Sequence, residues 1–116
     1  MSDPVRLEAL LIEAGKERPD RLAVFALLSL GIIESLTSGV LSPSDAVRAF
    51  FTADNCLSVR AQLRNKAADE VMGRGVQLPD LFEALPAEQA QRECQRELAA
   101  MRSACLKLIE RRRSVA

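Results

Sequence analysis

The residues able to carry chemistry in this chain are few: three cysteines (Cys56, Cys94 and Cys105), sixteen carboxylates and no histidine. Without an imidazole, the commonest proton carrier near neutral pH is missing, so Ser or Cys triads of the usual kind cannot be assembled. Asp69-Glu70 and Asp80 with Glu83 are the acidic pairs to weigh as general acid and base or as a divalent-ion site. Asp80 reads more simply as the cap of a turn and Glu83 as part of a solvated face. Gly73-Arg74-Gly75 is a glycine cluster without the Lys-Ser/Thr ending that grips phosphate and magnesium, so it reads as a helix stop. The thiols lack metal-type spacing. If Cys94 and Cys105 share a helix they stand about 16 Å apart, beyond disulfide reach. The expectation is a non-enzyme with no metal and no cofactor.

What remains is binding. Arg92 and Arg96 lie four residues apart on the polar side of the last helix, and with Asp80 and Glu83 they form the candidate protein interface. Arg60, Arg64 and Arg74, extended by Arg111 to Arg113, form a rival basic face for nucleic acid. Against that face stand the absence of Tyr and Trp for base stacking and a formal net charge of +0.

These side chains must be positioned by helices. Asp3-Pro4 reads as the cap and first turn of a helix to about Ala14, stopped by Gly15. Arg21 to about Ser38 is apolar on nearly every side, as suits a helix at the centre of a bundle. Gly39 ends it. Ser42-Pro43-Ser44-Asp45 opens a short helix to Phe51 through an acidic variant of the capping box, turning Phe50 and Phe51 inward. Asp54 and Asn55 offer a cap for a segment to about Met72, carrying Leu57, Leu63, Ala67 and Val71. Pro79-Asp80 opens a single turn, and Pro86 leads into the longest helix, to about Arg113. There Cys94, Leu98, Met101, Cys105 and Leu108 follow a 4-3-4-3 spacing, the seam of a helix lying along another. The seam is expected inside the chain's own bundle, with a homodimer contact as the alternative. Glu88 precedes Arg92 in the favourable order for a surface pair, and Arg111 to Arg113 suit the helix C-terminus.

The whole is an all-α, irregular bundle of five or six helices in one domain spanning residues 1–116. Its 48% hydrophobic and 28% charged residues support a core without staples. Residues 1–58 hold five basic and eight acidic groups, net −3, and residues 59–116 hold eleven and eight, net +3. The opening MSDPVRLEALLIE has an early acid and no basic leader, and Leu22 to Ile33 is too short for a membrane span, so a cytoplasmic protein with reduced thiols and no membrane partner is expected.

From Phe25 to Ile109 the order of features resembles the bacterial family known as domain of unknown function 3969. The resemblance rests on Leu30-Gly31-Ile32-Ile33, on Gly39-Val40-Leu41-Ser42 with Asp45-Ala46, and on Gly75-Val76-Gln77-Leu78-Pro79-Asp80-Leu81 closing on Leu85-Pro86. Where that family carries a Glu-Leu-Glu-Asp segment, Gln77 and Pro79 replace both glutamates and Asp80 alone survives. The resemblance implies a small helical protein and brings no activity, substrate or cofactor. The function expected is a non-catalytic protein-binding module, of the immunity, antitoxin or adaptor kind; a nucleic-acid-binding regulator using the basic second half is the alternative.

Overall fold

Local capping chemistry sets the first boundaries. In the computed structural model, which describes the backbone of residues 3–115 and side chains as far as Glu110, Ser42 Oγ accepts from the Asp45 amide at 3.1 Å and Asp45 Oδ2 accepts from the Ser42 amide at 3.3 Å. This reciprocal box, with Pro43 at the first turn, starts α3 (Pro43–Ala49). Beyond it Phe50 and Phe51 turn into the core edge to face, with ring centroids 5.2 Å apart. Six helices occur among the described residues: α1 (Leu7–Glu13), α2 (Arg18–Thr37), α3, α4 (Ala53–Leu63), α5 (Lys66–Ala84) and α6 (Ala87–Val115). The all-α reading holds, with no strand in the described chain.

Several boundaries differ from the sequence reading, each for a physical reason. Asp3 and Pro4 do not open α1. The Val5 amide instead donates to the Ala49 carbonyl at 2.8 Å, which keeps this segment out of the helix, and α1 begins at Leu7. The second helix starts at Arg18, with Pro19 in its first turn, and it is not covered on every side: Leu27 and Gly31 face solvent. Thr52, rather than Asp54 or Asn55, caps α4, its Oγ1 accepting from the Asn55 amide at 3.1 Å. The segment expected to reach Met72 is cut in two. Arg64 takes a left-handed conformation (φ 45°), and Asn65 caps α5 by accepting from the Ala68 amide at 3.0 Å.

The largest correction concerns α5. Gly73-Arg74-Gly75 is no stop and Pro79-Asp80 no start, because one helix runs through all of them. Gly75 is explained by its neighbour: a Cβ there would lie 2.5 Å from the Phe51 ring, so the missing side chain lets α5 close over that aromatic. Pro79 has no amide to offer the carbonyl four residues back, which is that of Gly75, so helix continuity at this turn comes from packing of the buried neighbours Gly75 and Leu78 rather than from propensity.

α6 carries the assembly. Its 29 residues at ~1.5 Å each span ~44 Å, the longest dimension of a molecule measuring 44 × 32 × 22 Å. It packs against α2 and α5, while α4 bridges α1 and α5, and α3 lies on α5. Cys94, Leu98, Met101, Cys105 and Leu108 are all buried and belong to the single hydrophobic cluster with Phe25, Ile33, Phe51 and Met72. The seam is therefore core, and the dimer alternative for it is set aside. No helix of the described residues is long and apolar enough to cross a membrane.

Candidate functional site

Asn55 is a buried polar residue on α4. Its buried side chain accepts from the Leu7 amide at 3.1 Å and donates to the carbonyls of Val5 and Phe50, each at 2.8 Å. The residue expected to cap its own helix thus caps α1 across 48 positions of sequence. Leu7 is the first residue of α1, so its amide is one of the orphan donors a helix start leaves over. With the Val5 amide bonded to Ala49, the strap Pro4 to Arg6 is held firmly against the start of α4.

Between that strap, α1 and α4 lies a groove of about 830 Å³. Asn55 belongs to its lining, and its walls carry Ile12 on α1 and Leu57 on α4. Ile12 is 53% exposed and Leu57 62% exposed. Leu57, one of the apolar residues carried by this segment, therefore stands in water. Its place on α4 is turned away from the inward row Asn55, Val59 and Leu63. Glu8 and Asp54 also line the groove, as does Arg6, and none of the three enters an ion pair recorded among the described residues. The trough is open, so a small ligand would not reach the 70–90% burial typical of small-molecule pockets.

The residues singled out in the sequence fall elsewhere. Arg92 and Arg96 are exposed on α6, with Arg96 Nη1 3.1 Å from Glu93 Oε1, and no Glu88–Arg92 pair is among the recorded ones. Asp80 and Glu83 are exposed on the last turns of α5 and form no ion pair with either arginine, and Asp80 caps nothing. Arg60 and Arg64 are exposed at the end of α4. Arg74 is not free for phosphate: its guanidinium bonds the Glu97 carboxylate on α6 and approaches Glu70 at 4.0 Å. It ties α5 to α6. The side chains of Arg111 to Arg113 lie outside the described residues. Asp69 and Glu70 are consecutive on α5, so they diverge around the helix instead of facing one another.

The three thiols are all held toward their protonated form. Burial raises the pKa of all three, opposed at Cys56 by Arg60 more than Asp69 assists it, assisted at Cys94 by Glu97, and Cys105 is pushed up to about 11 against a smaller lowering effect of Ser29. A thiol held protonated by burial is a weaker nucleophile than a thiolate. Among the described residues no three His, Cys, Asp or Glu side chains come together as a metal site. Comparisons with protein-family models, with curated proteins and with solved structures find no match.

Proposed function

We propose that this chain is a non-catalytic protein-binding module that receives a segment of its partner in the α1–α4 groove. One observation carries the reading: two large aliphatic side chains, Ile12 and Leu57, stand more than half exposed on the walls of a single groove lined by the hydrogen-bonded Asn55. Isolated surface leucines are ordinary, but paired apolar walls over a fixed floor lower the ordering cost of binding. The immunity, antitoxin or adaptor kind of module, in a bacterial cytoplasm that keeps the three free thiols reduced, is part of the same proposal. So is the resemblance to domain of unknown function 3969. The exposed pair Arg92 and Arg96 is the rival protein face, and Arg60 with Arg64 is what remains of the nucleic-acid alternative.

Site-specific photo-crosslinking in the native host tests this. A photoreactive residue in place of Leu57 is expected to capture one protein that the same residue at Arg92 does not. Capture from Arg92 alone would move the interface to α6. Nuclease-sensitive capture from Arg60 would favour the regulator instead.

A further inference from the structure

Resting on that reading, we infer that the occupant of the groove is a basic amphipathic helix of another protein, apolar toward Ile12 and Leu57 and carrying Lys or Arg toward Glu8 and Asp54. The apolar requirement follows from the walls. Ile12 and Leu57 lose their water only against side chains of similar kind, and a helix presents such side chains at three- and four-residue spacing.

Charge selects the sign. Glu8 and Asp54 line the groove against the single base Arg6, and exposed Asp3 and Glu13 adjoin it in sequence. Glu8 and Asp54 sit in the first turns of α1 and α4, where their charge already complements the helix dipoles. A partner carboxylate would find those amide ends screened by negative charge, whereas a lysine or arginine meets two carboxylates with no recorded ion-pair partner.

The test uses the full chain and two labelled synthetic helices of roughly four turns. One has leucine on one face and lysine on the other, and its counterpart carries glutamate in place of lysine. Fluorescence anisotropy at low salt is expected to show the lysine peptide binding at least about tenfold more tightly. Backbone amide shifts should concentrate on Ala9, Ile12, Leu57 and Ser58. Glu8→Gln with Asp54→Asn should erase the preference, and Leu57→Ser, at an exposed position, should weaken both peptides without changing the circular dichroism spectrum. Equal affinities, preference for the glutamate peptide, no binding of either, or shifts centred on α6 would each overturn the inference. If the peptides fail while a residue at position 57 still captures a protein, the basic-helix assignment falls and the groove stands. If that capture fails as well, the groove itself is wrong.

Discussion

At the scale of single residues, the interior gives a measurable pH dependence. Cys105 is wholly buried in the seam of α6, and its thiol is pushed from an ordinary value near 9.0 up to about 11, first by burial and against a smaller opposing effect of Ser29. Because the folded-state pKa is the higher one, the neutral thiol contributes its full stability below about pH 9. That contribution is lost as the pH rises through about 11, since the unfolded chain ionises first. The displacement corresponds to roughly 2–3 kcal/mol. Urea unfolding at pH 8 and at pH 11 should therefore show a fall that Cys105→Ala reduces, although the truncation also lowers stability at pH 8 by leaving a small void. An identical pH slope in the variant would exclude Cys105 as its source.

At the scale of elements, α5 separates what a sequence shows from what only packing shows. Gly73 and Gly75 are two residues apart in the same helix and read alike in the sequence. A Cβ on Gly73 would meet nothing within 4 Å, whereas one on Gly75 would strike the Phe51 ring at 2.5 Å. Gly73→Ala should accordingly stabilise the protein by about 0.5–1 kcal/mol through helix propensity. Gly75→Ala should destabilise it by about 1–3 kcal/mol, because the ring must leave a close-packed site. Thermal melts of the two variants moving in the same direction would contradict this account. Features closed within four residues, such as the Ser42–Asp45 box, are legible because both partners lie within one turn. Gly75 and Asn55 are not, because the groups that explain them, Phe51 and the Leu7 amide, lie 24 and 48 positions away. The groove was hidden for the same reason: Ile12 and Leu57 have core-like chemistry, and only the packing of α1 on α4 leaves them outside.

At the scale of the molecule, the question is whether α6 holds one chain together or two. Its seam residues sit in the same cluster as Phe25 and Ile33 of α2 and Met72 of α5, so the helix is the shared wall of an intramolecular core. Leu98 lies midway along it and is 2% exposed. Leu98→Asp would bury a carboxylate with no partner among aliphatic neighbours, at a cost of several kcal/mol against the ~5–15 kcal/mol that usually holds a domain. The variant should lose helicity and cooperative melting at every protein concentration, because the seam is buried within one chain. A seam that joined two chains would behave differently: the variant would stay helical while light scattering reported half the wild-type mass. Leu57→Asp supplies the complementary control. The same substitution on an exposed wall of the groove removes no core contact and leaves the new carboxylate hydrated, so the protein should melt within about 0.5 kcal/mol of wild type. Loss of fold at position 98 together with an intact fold at position 57 would separate the scaffold of this molecule from the surface it offers to others.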